Sequence, residues 1–274
     1  MTFTVLISLY KNEKPEYLEA CLISIFENQT LKPDQIVLVE DGPIPFSLSK
    51  VIERFNGIVG NILVIVKNET NKGLGYSLNR GLEFCTSKYV ARMDTDDISL
   101  PDRFERQIKF MNSNPDINLS GGFAIEIDEN GVEKSVRKMP STDNAIKKAL
   151  WSNPFIHPTV IFKRESMINI GGYDSSLRRR QDYELWFRCA LENFRFANLN
   201  MPLILYRFTQ DTHKKQSRTT CLLQARIGYN GSTKLGINRF KALLCYVPYI
   251  RSFFPEKVQH IIYKFSKLVD PRNV

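Results

Sequence analysis

The sequence predicts an α/β fold: a mainly parallel, doubly wound sheet with a small antiparallel extension, followed by a helical C-terminal tail. Three observations lead there. Short, almost unbroken apolar runs recur through the first third of the chain, as strands buried on both faces require. Runs with helical spacing separate them, which is the alternation that parallel crossovers produce. Polar clusters (Asn12 and Glu13; Glu40 and Asp41; Asp94, Asp96 and Asp97) directly follow strand runs, at the carboxyl edge where open sheets bind ligands.

Taken in order, "FTVLISLY" is the first strand, and Pro15 opens a helix in which Tyr17, Leu18, Cys21, Leu22, Ile25 and Phe26 recur at helical spacing. "QIVLVEDG" is a second strand ending in acids and glycine. The helical run "LSKVIERF" leads to a third strand, "NILVIVKN", then to a helix across "GYSLNRGLEFC" and a fourth strand, "YVARM". Pro101 begins a helix reaching about Met111, and "INLSGGFAIEIDENGVEKSVRKM" predicts a hairpin turning at Asn130-Gly131. A helix near 142–150 and a loop, "WSNPFIHPTVIF", come next. Leu185, Trp186, Cys189 and Ala190 then keep helical spacing, which puts Asp182 in or just before that helix's first turn. From Leu203, "LILYRF" is strand-like.

With 274 residues, 43% hydrophobic and 24% charged, the chain has ordinary globular composition and enough length for a substantial core. Five scattered cysteines without a CxxC pair suggest neither a disulfide framework nor zinc, and favour a reducing cytosol. The N-terminus reads as a strand and not as a signal peptide, and no run of about 18 apolar residues marks a membrane span. The net charge of +9 is uneven. Residues 205–274 hold 13 Lys and Arg against 3 Asp and Glu, leaving 25 against 26 for the rest. Basicity confined to a tail, with no nucleic-acid module in view, argues against nucleic acid as a partner.

Three carboxylates within four positions, Asp94, Asp96 and Asp97, repel one another unless water or a cation offsets them. A solvated turn capping the following helix is the plain reading, although a cap needs one acid. A calcium loop matches at Asp94, Asp96, Asp102 and Glu105 but has Ile98 at a ligand position and Ser99 where the turn needs glycine. An Asp-x-Asp phosphohydrolase suits the strand context but lacks a second acidic pair downstream. The remaining reading is a divalent cation, Mn²⁺ or Mg²⁺, held by the acids together with a nucleotide diphosphate, which is nucleotide-sugar transfer chemistry.

Six ordered blocks, "VLISLYKNE", "IVLVEDG", "NKGLGYSLNRGL", "RMDTDDISLPDRFERQ", "HPTVIF…GGYD" and "QDYELWFR", together resemble glycosyltransferase family 2, the inverting enzymes of the GT-A fold. The resemblance spans roughly residues 3 to 208 and is nearest to the single-transfer enzymes of bacterial O-antigen, capsule and exopolysaccharide synthesis. It implies a catalytic unit over 1–208, with a nucleotide-sugar half (1–100) and an acceptor half (101–208), and a basic amphipathic extension over 209–274. No Q-x-x-R-W block of processive synthases follows, which implies one sugar per acceptor.

The resemblance also implies roles. Ser8, Tyr10, Asn12 and Glu13 line the nucleotide, with Glu40 facing the base beside Asp41. Asn71, Gly73 and Asn79 pass under the ribose and diphosphate. Where that block often carries Arg this chain has Leu78, so Lys72, Arg80 or Arg92 is left to neutralise the diphosphate. Asp94 meets the ribose, Asp96 the metal, and Asp97 the donor sugar or acceptor. Asp182 is the catalytic base, preceded by Gln181 where relatives have Glu; the plain alternative is a helix N-terminal acid worth about 0.3–1 kcal/mol. His157, Gly171, Gly172 and Trp186 fall on the acceptor side, Trp186 as pocket floor or as core. His213 is a further metal ligand or a structural histidine.

The donor is expected to be a uridine-diphosphate sugar and the acceptor a glycan, lipid-diphosphate-linked. Residues 240–265 mix aromatic and aliphatic side chains with Lys and Arg. They suit either an anionic membrane surface on the cytoplasmic face or a helical pair packed on the catalytic unit. A non-catalytic nucleotide-sugar sensor is the alternative from another functional class.

Overall fold

In a computed structural model, which describes residues 2–208 and 217–254, β1 (Phe3–Leu9) has a parallel neighbour on each side. All of its residues but Ser8 are buried, so the apolar run has no face left for water. β2 (Gln35–Glu40) and β4 (Tyr89–Met93) flank it, and β3 (Leu63–Lys67) adds in parallel beyond β2. α1 (Pro15–Ile25) and α2 (Phe46–Val59) cover one face, burying Leu18, Leu22, Val51 and Phe55 with Val5 and Ile7. α3 (Leu74–Phe84) covers the other, setting Leu78 and Leu82 against Leu6, Val37 and Val39. Register pairs Leu9 with Glu40 and Ile7 with Met93, so the segments after β1, β2 and β4 leave the sheet side by side.

The second half is mixed. Strand order is β3-β2-β1-β4-β8-β6-β9-β5, with β7 paired to β6. β6 (Leu119–Ile127) and β7 (Glu133–Arg137) form the expected hairpin. β5 (Ile98–Ser99) is antiparallel to β9 (Phe196–Arg207), which runs parallel to β6. Between these elements lie α4 (Arg103–Ser113), α5 (Asp143–Ala149), α6 (Arg164–Asn169) and α7 (Gln181–Leu191).

Two features differ from the sequence reading. The stretch read as a loop contains β8 (Ile161–Lys163), antiparallel to β4 and β6 and joining the two halves of the sheet. Its three residues, close after Pro154 and Pro158, are too few for periodicity to reveal. β9 begins at Phe196, well before Leu203, through "NLNMP", whose Asn and Pro are poor strand formers. It survives there because the ladder to β6 shifts register opposite Pro202 and because buried Asn198 donates to the carbonyls of Pro140 and Pro154.

C-terminal to β9 come α8 (Arg218–Lys234), α9 (Arg239–Ala242) and α10 (Val247–Arg251). Ile227 and Leu235 pack against the core that holds Tyr183 and Phe187 of α7. His213 and residues 255–274 lie outside the described residues. Among the described residues no helix is long and apolar enough to cross a membrane, and all five cysteines are buried and free.

Candidate active site

The site is built at the carboxyl edge of β1, β2 and β4. After β1, Tyr10 and Asn12 are exposed while Ser8 and Glu13 are half-buried. Glu13 accepts a hydrogen bond from Thr95 Oγ1, tying this loop to the acid cluster. At the end of β2, Glu40 is buried and ion-paired at 3.4 Å with Lys67.

Asp41 is fully engaged within the protein. Its carboxylate accepts from Asn68 Nδ2 (3.2 Å), Asn71 Nδ2 (2.8 Å), Lys72 N (2.7 Å) and Gly73 N (3.0 Å). It shapes the 68–73 loop, in which Gly73 adopts a φ of 94° that an L side chain rarely takes. The Asp41 carboxylate is thus spent on folding this loop.

After β4 the three acids converge, with carboxylate oxygens within 4.8 Å of one another. Asp94 is paired with Arg92, which is 1% exposed. Burial, reinforced by Asp94 and Glu13, pushes the Asp96 carboxyl up to about 7. Burial and the two neighbouring acids raise Asp97 as well. Such a donor set fits a hard divalent cation, whose charge would relieve a repulsion that burial makes costly.

Asp97 is 1% exposed and its Oδ1 accepts from Arg207 N at 2.8 Å, while its buried Oδ2 has no hydrogen-bond partner among the described residues. Arg92 is buried: one guanidinium nitrogen is given to Asp94, while Nε and Nη1 have no hydrogen-bond partner among the described residues. Its charge acts on both Asp94 and Asp182.

Asp182 occupies the first turn of α7, half-buried. Burial raises its carboxyl above the ordinary carboxylate range, opposed by the Tyr183 N–H and by Arg180 and Arg92. An acid held so is readier to accept a proton near neutrality than an exposed one.

The segment before α7 holds two of the residues expected on the acceptor side, Gly171 and Gly172. Gly171 is exposed. Gly172 has φ 63°, and a Cβ there would stand 2.3 Å from Asn79 Oδ1. Asn79 was expected under the nucleotide, yet both ends of its amide are spent on this segment: Oδ1 accepts from Tyr173 N (2.7 Å), and Nδ2 donates to Tyr173 O (2.7 Å) and Ser175 Oγ (3.2 Å). His157 Nε2 meets Tyr173 Oη at 2.9 Å, and burial lowers the imidazole well below its ordinary range, so it stays neutral. Trp186 is 0% exposed beneath His157 and Phe155, which makes it core and not pocket floor.

Sequence reading passed over four residues that shape this region: Thr95, Tyr173, Arg178 and Arg207. Arg207 donates Nε to Asp96 O (2.9 Å) and Nη1 to Asp128 O (2.9 Å), clamping the acid turn from the far end of β9. Arg178 donates to Asn71 Oδ1 (2.9 Å). Both act across more than a hundred residues of sequence, where no local pattern points.

The Glycosyl transferase family 2 model matches residues 4–183, from β1 to just past Asp182. The amylovoran biosynthesis glycosyltransferase AmsE of Erwinia amylovora is 47% identical over 215 residues, covering 78% of this chain and 79% of that protein. An Escherichia coli UDP-Gal:alpha-D-GlcNAc-diphosphoundecaprenol beta-1,3-galactosyltransferase is 33% identical over 215 residues, covering 78% of this chain and 77% of its own length. Among solved structures, residues 1–349 of TarS from S. aureus, crystallised with UDP-GlcNAc, superimpose with a TM-score of 0.68 at 16% identity, over 92% of this chain and 72% of that one. Its likeness confirms the GT-A fold. A family model that runs through the acid cluster to Asp182, together with relatives matched over most of their length, shows that this chain belongs to glycosyltransferase family 2.

Proposed function

We propose that this glycosyltransferase moves one sugar, with inversion, from a uridine-diphosphate sugar to a glycan acceptor carried on a lipid diphosphate, in bacterial polysaccharide synthesis. The observation that supports the reading is an acid cluster fit for a cation whose Asp94 pairs with Arg92, an arginine whose charge also acts on Asp182, a carboxylate with a raised proton affinity. The E. coli relative, matched over most of both chains, is named for a UDP-sugar donor and a lipid-diphosphate acceptor.

In this reading Asp96 holds the divalent ion, with Asp94 toward the ribose. Bound there, Mn²⁺ or Mg²⁺ would offset charge on the departing diphosphate. Asp182 takes the proton of the acceptor hydroxyl as its oxygen bonds to the anomeric carbon. The bond from that carbon to the phosphate oxygen breaks on the opposite face, and its electron pair leaves with the diphosphate. Gln181 keeps a second carboxylate away from the base. Residues 1–208 form the catalytic unit, and the tail serves the acceptor's surroundings.

Anionic lipid is the proposed partner of that tail. Residues 217–254 contain Arg218, Arg226, Lys234, Arg239, Lys241 and Arg251 but no Asp or Glu. Phe240 is 84% exposed, and Leu243, Ile250 and Phe253 are each more than half exposed. Apolar insertion and positive charge add in the interface of an anionic membrane. Cosedimentation with phosphatidylglycerol vesicles should weaken in Phe240→Ser and Phe253→Ser, and equal sedimentation of wild type and variants would end this part of the reading.

The test of the transfer itself is a panel of UDP-glucose, UDP-galactose, UDP-GlcNAc and UDP-GalNAc against a short-chain lipid-diphosphate GlcNAc acceptor. One donor should give a one-sugar product in Mn²⁺ or Mg²⁺. Nucleotide binding without turnover on any acceptor would favour the sensor.

A further inference from the structure

The carboxyl edge of the sheet gathers Glu13, Glu40, Asp41, Asp94, Asp96 and Asp97. Of the cations near it, Lys67 pairs with Glu40, and Arg92 gives one of its guanidinium nitrogens to Asp94. A nucleoside diphosphate brought to this edge adds further negative charge, and a cation on the acid cluster faces it from one side. Charge balance asks for positive groups around the nucleotide loop, which itself carries the exposed Lys72.

Of the cations considered from sequence, Arg92 is buried and gives one guanidinium nitrogen to Asp94, while Lys72 is exposed on the loop with its backbone N–H given to Asp41. Arg80 lines a groove along α3 with Asn79, Glu83, Phe84 and Ser175. Leu78 is buried in the core against β1 and β2 and offers nothing.

Arg178 reaches the nucleotide loop from the other half of the molecule. Its Nη1 donates to Asn71 Oδ1 at 2.9 Å. A Cβ at Gly73 would come within 3.1 Å of that same nitrogen and 3.3 Å of Arg178 Cδ, so the arginine lies directly on the glycine. The guanidinium is exposed, and its remaining donors are open to a ligand. Asn71 in turn is held by Asp41, so the contact stands on a fixed loop.

The same contact belongs to a longer seam. Asn79 binds Tyr173 and Ser175, and a Cβ at Gly75 would meet Asp174 O at 3.2 Å and Gln181 Cβ at 3.6 Å. From Tyr173 to Gln181 the chain is therefore laid along the nucleotide loop and the start of α3, and the next residue is Asp182.

We infer that Arg178 is the donor's diphosphate-binding arginine and, through the Tyr173–Gln181 seam, the residue that couples nucleotide occupancy to the placement of Asp182. When the donor binds, the fork that now holds Asn71 Oδ1 turns its donors to phosphate oxygens, where planar bidentate contact is strong. Gly73 suits this contact, since its φ of 94° is one that L side chains rarely adopt and a Cβ there would crowd the guanidinium at 3.1 Å. This inference rests on the nucleotide-sugar reading of the site.

Calorimetry with Mn²⁺ tests it, using UDP and uridine as probes on wild type, Arg178→Ala and Arg178→Lys. The variants should keep the wild-type melting temperature, since the side chain is exposed. Arg178→Ala should weaken UDP about 10- to 100-fold and leave uridine unchanged, with Arg178→Lys falling between. In transfer assays the donor KM should rise in the same order. Unchanged UDP affinity in Arg178→Ala would overturn the inference alone, as would an equal loss of UDP and uridine, which would mark a merely structural contact. Failure of the wild type to bind UDP would instead sink the reading on which the inference depends.

Discussion

Removing the carboxylate of Asp96 should abolish a stabilisation by divalent cations that the intact protein shows. The oxygens of Asp94, Asp96 and Asp97 lie no more than 4.8 Å apart, and at that distance two like charges repel by about 3.5 kcal/mol at an effective dielectric of ~20. Burial first, and this repulsion with it, push the Asp96 carboxyl up to about 7 against an ordinary 3.8 in the ion-free protein. The folded state then keeps a proton that the unfolded chain has released, so the contribution of Asp96 to stability falls as pH rises from about 4 toward 7. A cation replaces the proton. At 100 times its dissociation constant it adds about 2.7 kcal/mol, or roughly 5–10 °C in melting temperature for a domain of this size. Thermal melts with Mn²⁺ against EDTA at several pH values should show a shift that grows from about pH 5 to 7.5. Asp96→Ala should melt higher than wild type without the ion and lose the shift. The same Mn²⁺ response in that variant would refute the assignment of Asp96.

Asp182→Asn should lower transfer by about 10²–10⁴ while UDP affinity with Mn²⁺ is kept. Because burial raises the Asp182 carboxyl, that variant should melt no lower than wild type at neutral pH, and wild-type kcat/KM should fall with acid at a pH above the ordinary carboxylate value. Gly172→Ala places a Cβ 2.3 Å from Asn79 Oδ1 at a φ of 63° and should cost about 1–3 kcal/mol in urea unfolding; an unchanged midpoint would show that the Asn79 seam is dispensable. Trp186→Ala should cost about 3–5 kcal/mol. Trp186→Phe should spare the acceptor KM, whereas a raised KM at full stability would return Trp186 to the acceptor site.

What was legible from sequence follows from how local each signal is. β1, β2 and β4 announce themselves because strands buried on both faces must be apolar throughout, and the acids after them mark the binding edge. Asp182 was placed in its helical turn by the spacing of Leu185, Trp186 and Cys189 alone. β8 and the first half of β9 were missed because a three-residue strand and an Asn- and Pro-bearing one are held by neighbours instead of by their own propensities. The same limit governed the site. Sequence supplied the polar residues but not which of them spend their polarity inside the protein, as Asp41, Asn79 and Asp97 do. Nor did it show that Arg207 and Arg178 return to the site from distant segments.

The reading of Asp182 as the base of a single displacement stands or falls on stereochemistry. Proton nuclear magnetic resonance of the product formed from an α-linked UDP-sugar reads the configuration at the transferred anomeric carbon. A β-linked product is the expected result of a single displacement with Asp182 as base, and an α-linked product would contradict it.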